Sequence, residues 1–193
     1  MKNKAKVVVI GGGVVGVSTL YHLAKQGWSD VVLCERKELT SGSTWHAAGL
    51  MPLFNMSYSV GQIHKYSVKF YQELEKETGQ DVGFREVSNI RLAETQDRMD
   101  EYKQYAGVAE TIGVKVNFLN PDEIKEIWPL CSTEGLIGAI QHPEDGYIQP
   151  NDLTQALAKG ARALGAEIYR QTAVTALEPV SYTHLTLPTI GCV

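Results

Sequence analysis

Three glycines near the start of the chain have the spacing of a phosphate-binding turn. Gly11, Gly13 and Gly16 form a G-x-G-x-x-G pattern directly after residues 6–10, a β-branched run that is typical of a buried parallel strand. In such a turn the first glycine permits the tight bend, the second lets the backbone approach a pyrophosphate, and the third lets a helix pack closely against the strand. The pattern therefore predicts a site for the phosphates of a nucleotide.

The residues around the turn complete a strand–helix–strand unit. Apolar residues at helical spacing predict a helix over residues 14–26, so Val14 and Val15 lie at its N-terminus, where free N–H groups favour phosphate. Residues 31–34 are predicted to form the second strand, and Glu35 at its end is placed to accept hydrogen bonds from ribose hydroxyls. This carboxylate would repel a 2′-phosphate, which disfavours NADP. A glycine-rich turn that binds nothing is the alternative, and the complete unit argues against it.

A second loop follows Glu35 and contains several small and hydroxyl-bearing side chains. This second loop, residues 39–50, reads LTSGSTWHAAGL. Small side chains would let it run along an extended cofactor, and Ser43 and Thr44 supply hydroxyl groups to it. His46 is its nucleophilic side chain, although a histidine beside a tryptophan is more often a packed or partly exposed group than a reactive one. The residues alone leave the role of His46 open.

Glu35-Arg36 and the run from Gly42 to Leu50 resemble the flavin loop of the FAD-dependent oxidoreductases related to glycine oxidase and D-amino-acid oxidase. Within that superfamily the sequence is most similar to the dimethylglycine and sarcosine dehydrogenases, and the resemblance extends from residue 6 to residue 178. It implies a bound FAD that is joined covalently to His46, and it implies that the backbone near Val174 lies against the adenine. The residues expected to contact FAD are Gly11, Gly13, Val14, Val15, Gly16, Glu35, Arg36, Ser43, Thr44, His46, Ala48, Gly49, Leu50 and Val174.

The resemblance implies an amine dehydrogenase that oxidises an N-methyl group of dimethylglycine or sarcosine by hydride transfer to FAD. The iminium product would lose formaldehyde by hydrolysis or pass its carbon to tetrahydrofolate, and electrons would leave to an electron-transfer flavoprotein. In this family the substrate pocket and the tetrahydrofolate site lie mainly in a C-terminal region beyond this chain, so no catalytic acid or base is assigned. Two alternatives stay open: a non-catalytic regulatory flavoprotein of the same fold, and an FAD-dependent amino-acid oxidase that uses oxygen.

Composition and charge exclude several other classes of protein. The 193 residues carry a net charge of −4, and the pI is near 5.7, so no basic surface for nucleic acid is expected. Cys34, Cys131 and Cys192 lie far apart, which predicts neither a disulfide framework nor a metal site. No apolar run reaches the ~18 residues that span a bilayer. No signal or transit peptide precedes the first strand, which predicts the bacterial cytoplasm, or the mitochondrial matrix if the source is eukaryotic.

The order of the predicted elements indicates an α/β fold: a Rossmann-like FAD-binding domain that is interrupted by the start of an α+β substrate domain. Further helices are expected over residues 60–78, 96–112, 120–127 and 152–164, with Asn151 capping the last, and further strands over residues 90–93, 116–119, 136–141, 167–170 and 174–177. Residues 145–150, called the return segment below, resemble the stretch that leads back into the FAD-binding domain in this family. The predicted segments are 1–80 and 145–179 for the FAD-binding domain and 81–144 for the substrate domain.

The last residues resemble a translated cloning artefact rather than part of a folded domain. From Val180 the chain reads VSYTHLTLPT, which is similar to the translation of a transposon adapter used in sequencing libraries. Residues 180–193 are therefore predicted to be a non-native tail, and the family sequence to be truncated near Pro179. A genuine strand rich in threonine and leucine is the alternative. A truncated sheet would expose an unpaired edge and an apolar face.

Overall fold

The computed structural model describes residues 2–178, and the predicted tail at residues 180–193 lies outside them. The strands of this part of the chain are β1 (Val7–Ile10), β2 (Val31–Cys34), β3 (Leu50–Met51), β4 (Arg85–Glu86), β5 (Asn89–Ala93), β6 (Asn117–Leu119), β7 (Gly138–His142), β8 (Gly146–Tyr147) and β9 (Glu167–Tyr169). The helices are α1 (Val14–Lys25), α2 (Tyr58–Thr78), α3 (Gln96–Ile112), α4 (Pro121–Ile127) and α5 (Pro150–Ala163). None of these helices is long and apolar enough to cross a bilayer.

The first sheet is parallel and has the strand order β1-β2-β9. Helix α1 connects β1 to β2, and Val7 is in register with Val31. On the other side of β2, Leu33 is in register with Ile168 of β9. A strand from the far end of the described chain thus joins the strand–helix–strand unit, and the predicted Rossmann-like fold is confirmed.

Helices α1 and α5 pack together against the first sheet, and α2 packs against α5. The apolar residues of α1 and α5 that face the sheet are fully buried, among them Val17, Leu20 and Leu157. The two helices approach closely because Gly160 has no side chain: a Cβ there would lie 2.7 Å from the ring of Tyr21. This core packs against β1 and β2, and β1 leads directly into the glycine turn.

Two antiparallel sheets occupy the middle of the sequence. One has the strand order β3-β8-β4, and the other has the order β5-β7-β6 with α3 and α4 packed beside it. The strands of the first of these sheets come from all three predicted segments: β3 from 1–80, β4 from 81–144 and β8 from 145–179. The division of the chain at residues 80 and 144 therefore stays a prediction.

Two local predictions are wrong. Residues 174–177 do not form a strand, because the chain leaves the sheet after β9: Gln171 has a φ of 52°, and the Thr172 N–H donates to the Glu35 carbonyl at 2.8 Å. Asn151 does not cap α5, since Pro150 is already helical and Gln149 is the N-cap residue. The side chain of Asn151 is engaged elsewhere, as described below.

The face of the first sheet that points away from the helices is partly uncovered. Val8 and Ile10 of β1 are 49% and 54% exposed, and β2 is the sole neighbour of β1 among residues 2–178. An unpaired edge next to exposed apolar side chains favours association with further strands. The expected open edge and uncovered apolar face are thus both present in the described part of the chain.

A buried polar cluster joins the two antiparallel sheets. His142 and Asp145 lie at the end of β7 and just before β8, and both are almost fully buried. The Nε2 atom of His142 is 3.2 Å from the Tyr105 hydroxyl, and Asp145 Oδ1 accepts a hydrogen bond from the Leu53 N–H at 2.8 Å. Burial raises the pKa of Asp145 to about 6, and burial, with the nearby Arg91 charge, lowers the pKa of His142 to about 4.

We expect the substitutions Asp145→Asn and His142→Gln to give opposite pH dependences of stability. Because the folded pKa of Asp145 is raised from 3.8, the stability that this group contributes is lost as the pH rises from about 4 to about 6. Because the folded pKa of His142 is lowered from 6.5, its contribution grows as the pH rises over nearly the same range. The two trends largely cancel in the wild type.

The prediction is checked by urea unfolding of both variants between pH 4 and 6.5. With Asp145→Asn the histidine trend remains, so the free energy of unfolding should rise with pH, by up to about 1.4 kcal/mol per pH unit. With His142→Gln it should fall by a similar amount. Slopes of the same sign in the two variants would contradict the assigned pKa directions.

Candidate functional site

The glycine turn holds the N-terminus of α1 above the carboxyl end of β1. The Gly11 N–H donates to the Cys34 carbonyl at 2.9 Å, which extends the pairing of β1 and β2 into the turn, and Gly11 has a φ of 106° that L side chains rarely adopt. A Cβ on Gly16 would overlap the Gly11 carbonyl oxygen, so α1 rests directly on the turn. The first N–H groups of a helix have no partner within the helix, and here they are presented at the tip of a rigid turn.

Glu35 is attached to the same turn through Gly12. The Gly12 N–H donates to Glu35 Oε2 at 2.6 Å, and the Lys37 N–H donates to Glu35 Oε1 at 2.7 Å. A Cβ on Gly12 would lie 2.6 Å from Leu39 and 2.9 Å from Glu35. Each carboxylate oxygen has a second lone pair available to a ligand, so the expected contact with ribose hydroxyls is compatible with this geometry and stays a prediction.

Gly12 is the residue that the sequence reasoning missed. It occupies a variable position of the G-x-G-x-x-G pattern, which gives it no assigned role. The run of three consecutive glycines was the available signal, because a glycine at a variable position suggests a close approach by another segment. The segment that approaches is the one from Glu35 to Leu39.

The second loop packs onto the start of α1. Residues Ser43–His46 form a short 3₁₀ helix in which Thr44 is buried. The Thr44 hydroxyl accepts a hydrogen bond from the Val14 N–H at 2.9 Å, and a Cβ on Gly13 would lie 3.1 Å from the same oxygen. The second loop thus caps the helix whose N-terminus is predicted to bind phosphate.

Apart from Leu39, Thr40 and Thr44, which are buried, the side chains of the second loop are exposed. Trp45 and Leu50 are 71% and 69% exposed, and His46 and Ala48 are also exposed. No hydrogen bond to the His46 ring occurs among residues 2–178. The end of the loop is fixed at Gly49, whose carbonyl accepts from the Ile148 N–H at 2.8 Å. An accessible imidazole is therefore carried on a loop that is anchored at both ends.

Three of the residues predicted to contact FAD lie apart from the hydrogen bonds that join the turn, Glu35 and the second loop. Arg36 is exposed and makes no ion pair with another residue of the described chain, and Leu50 belongs to β3, where it is in register with Tyr147. Val174 is 39% exposed in an irregular segment, although the Thr172–Glu35 hydrogen bond brings that segment to the end of β2. Glu35 directly follows β2, and the other predicted residues lie on the turn, on the first turn of α1, or on the second loop.

The arrangement fits a long dinucleotide cofactor. Glu35 supplies a carboxylate, the start of α1 supplies backbone N–H groups, of which the one on Val14 donates to Thr44, and His46 supplies an exposed imidazole on the second loop. Their predicted contacts with a ribose, a pyrophosphate and a flavin ring are compatible with this arrangement and stay predictions. Among residues 2–178, no group of three or more His, Cys, Asp or Glu side chains could hold a metal ion.

Comparison with known proteins gives one family and several relatives of greater length. The sequence model of the family described as FAD dependent oxidoreductase (DAO) matches residues 6–187, a range that includes part of the predicted tail. Dimethylglycine dehydrogenase, mitochondrial, of Rattus norvegicus is 46% identical over 178 residues, which are 92% of this chain and 21% of that protein. Sarcosine dehydrogenase, mitochondrial, of Homo sapiens is 38% identical over 178 residues, 92% of this chain and 19% of that protein.

Two further comparisons bear on function and fold. The pyruvate dehydrogenase phosphatase regulatory subunit, mitochondrial, of Mus musculus is 37% identical over 171 residues, 89% of this chain and 20% of that protein. The crystal structure of L-proline dehydrogenase from P. horikoshii superimposes with a TM-score of 0.85 at 29% identity, over 91% of this chain and 46% of that one. The chain spans about a fifth of the length of these three curated relatives.

We expect Gly16→Ala to lower the free energy of unfolding by about 1–3 kcal/mol, since the added methyl group must push α1 away from the Gly11 carbonyl. Gly107→Ala is the matched control, because Gly107 also lies within a helix and a Cβ there has open space around it. That control should raise the free energy of unfolding by about 0.5–1 kcal/mol. Urea unfolding measures both values, and equal effects would contradict the close packing of α1 on the turn.

Proposed function

Because the chain belongs to the family of FAD-dependent oxidoreductases, we propose that it forms part of the FAD site of an amine dehydrogenase that oxidises N-methyl groups of dimethylglycine or sarcosine. The observation that carries the proposal is the capping of α1 by the second loop, since the hydrogen bond from the Val14 N–H to the Thr44 hydroxyl joins the phosphate-binding turn to the loop with His46. The similarity to the two dehydrogenases supports the substrate class. The activity is proposed for the whole protein, of which this chain is about a fifth when measured against its relatives.

Each part of the site has a distinct task in this proposal. The glycine turn and the N-terminus of α1 bind the pyrophosphate through backbone N–H groups and the positive end of the helix dipole. Glu35 binds the adenosine ribose, and its orientation is fixed by the N–H groups of Gly12 and Lys37. Ser43 and Thr44 lie along the cofactor, and the segment that contains Val174 lies against the adenine. Hydrogen bonds from Gly11 to Cys34 and from Gly12 to Glu35 hold the turn in place, and such preorganisation would lower the entropic cost of binding.

His46 is proposed to hold the flavin through a covalent bond. Its ring is exposed and has no hydrogen-bond partner among residues 2–178, so a ring nitrogen would be accessible to the methyl carbon of a bound flavin. Formation of the N–C bond would release one proton from the ring nitrogen and one from the methyl carbon and would leave the flavin reduced by two electrons, and oxygen would reoxidise it. The loop on each side is fixed, by Thr44 against α1 and by Gly49 against Ile148. Electron withdrawal by the attached imidazole would make the cofactor a stronger oxidant.

The chemistry of the whole protein follows from the cofactor and the proposed substrate. Bound FAD supplies the acceptor for a hydride from the N-methyl carbon of the amine. Release of formaldehyde or transfer of the carbon to tetrahydrofolate, and electron transfer to an electron-transfer flavoprotein, are assigned to regions beyond this chain. The proposed compartment is the bacterial cytoplasm, or the mitochondrial matrix in a eukaryote.

A non-catalytic role is the second candidate, and one specific observation favours it. The chain is 37% identical to a protein named as a regulatory subunit, nearly the same identity as to the sarcosine dehydrogenase. Sequence identity at this level does not separate the two roles. The exposed His46 favours redox chemistry, since a tethered flavin mainly serves that purpose.

We expect the chain to retain flavin after acid precipitation and washing when it has been incubated with FAD, and to lose it in the variant His46→Gln. His64→Gln is the matched control, because His64 follows the second loop but its Nδ1 atom lies 3.0 Å from the Pro52 carbonyl oxygen and is engaged there. Flavin absorbance of the washed, redissolved pellet gives the result. Retention of flavin by His46→Gln would disprove the assigned attachment site.

A full-length protein that contains this sequence tests the reaction. Under anaerobic conditions, dimethylglycine or sarcosine should bleach the absorbance of the oxidised flavin and release about one formaldehyde per flavin, because no acceptor is present to reoxidise the cofactor. Bound flavin that no N-methyl amine bleaches would support the regulatory role instead. Stoichiometric peroxide in air would identify an oxidase.

A further inference from the structure

Thr40 has a backbone conformation that a β-branched residue rarely adopts. Its φ is 70°, in the left-handed region, and its side chain is 94% buried, with 6% exposed. Two other non-glycine residues of the described chain have a positive φ, Ser88 and Gln171, and neither is β-branched. Strain of this kind persists only where surrounding contacts hold the residue in place, and it occurs most often at functional sites.

Three hydrogen bonds hold Thr40, and each goes to a different part of the molecule. Its N–H donates to the Gly12 carbonyl at 3.0 Å, and its own carbonyl accepts from the Trp45 N–H at 3.1 Å. Its hydroxyl donates to Asn151 Oδ1, on the first turn of α5, at 2.8 Å. Thr40 therefore connects the glycine turn, the 3₁₀ helix of the second loop and a helix that begins more than a hundred residues later.

The two backbone bonds lie between the two halves of the proposed FAD site. Gly12 carries the contact to Glu35, and Trp45 precedes His46 in the 3₁₀ helix. The distance between the halves is set by the backbone of Thr40, whose conformation is unfavourable on its own. The hydroxyl bond to Asn151 is the side-chain contact that can hold this conformation, because it ties Thr40 to the rigid core helix α5.

We propose that Thr40, held by Asn151, is a positioning residue that fixes the spacing between the phosphate-binding turn and the flavin-binding loop. The inference rests on the proposed FAD site and deepens it. A ligand that occupies both halves needs the correct spacing, whereas a ligand that occupies the turn and Glu35 alone does not. Loss of the hydroxyl bond lets residue 40 relax out of the left-handed region, which moves the second loop relative to the turn.

The test compares FAD with ADP as probes on the 193-residue chain, and every protein in it, the wild-type reference included, carries His46→Gln so that FAD binds reversibly. ADP contains the adenosine ribose and the diphosphate and lacks the flavin. We expect Thr40→Val to raise the Kd for FAD by about tenfold or more, with less than about a twofold change in the Kd for ADP. Thr40→Ser keeps the hydroxyl and should restore FAD affinity to near the wild-type value. Isothermal titration calorimetry measures both constants.

Ser88→Ala is the matched control. Like Thr40, Ser88 has a φ of 70°, and its hydroxyl accepts one side-chain hydrogen bond, from Gln141 Nε2 at 3.1 Å. Unlike Thr40, Ser88 lies between β4 and β5, away from the proposed site. This variant should leave both dissociation constants unchanged. Asn151→Ala removes the acceptor of the Thr40 hydroxyl, so it should raise the Kd for FAD as Thr40→Val does. Because both substitutions remove the same hydrogen bond, the double variant should bind FAD no more weakly than either single variant.

The outcomes separate this inference from the proposed function. If the wild-type chain binds neither ADP nor FAD measurably, both the proposed FAD site and this inference are wrong. If the wild type binds FAD and Thr40→Val binds it equally well, the inference alone is wrong. Equal losses for ADP and FAD would show a general structural role and would also overturn it, as would additive effects of Thr40→Val and Asn151→Ala.

Discussion

The contact of α1 with the carbonyl oxygen of Gly11 is the constraint on which the rest of the site depends. It exists because Gly16 has no side chain, and it places the first N–H groups of the helix at the tip of the turn. One of those groups, on Val14, then becomes available to the Thr44 hydroxyl. A longer distance between helix and turn would remove both the phosphate-binding geometry and the anchor of the second loop.

The second loop gains its rigidity from segments that are distant in sequence. Thr44 is fixed to the start of α1, Thr40 to Asn151 on α5, and Gly49 to the backbone of Ile148 in the return segment. The ring of His46 makes no hydrogen bond to another residue of the described chain. A loop with fixed ends and an accessible reactive group suits covalent attachment, because the nucleophile is positioned while its ring stays open to the cofactor.

The strongest pKa shifts occur away from this loop, in the cluster between the two antiparallel sheets. Burial raises the pKa of Tyr105 to about 12 and of Asp145 to about 6, and it lowers that of His142 to about 4. These groups bond to one another and to the backbone of Leu53, where β3 leads into the interior. A perturbed pKa by itself marks burial, and here the hydrogen bonds indicate a structural role, since they connect α3, the end of β7 and the residues that follow β3.

The sequence by itself determined the features that local pattern controls: the β1–α1–β2 unit, the glycine turn, the acid at the end of β2, and helix α3. Periodicity, capping residues and motif spacing are readable within a few residues, so these predictions were correct. Only the tertiary structure decided that Gly12 binds Glu35, that Asn151 bonds to Thr40 instead of capping α5, and that residues 174–177 leave the sheet. Each of these depends on a partner many residues away, and the position of that partner is set by packing, which no local pattern encodes.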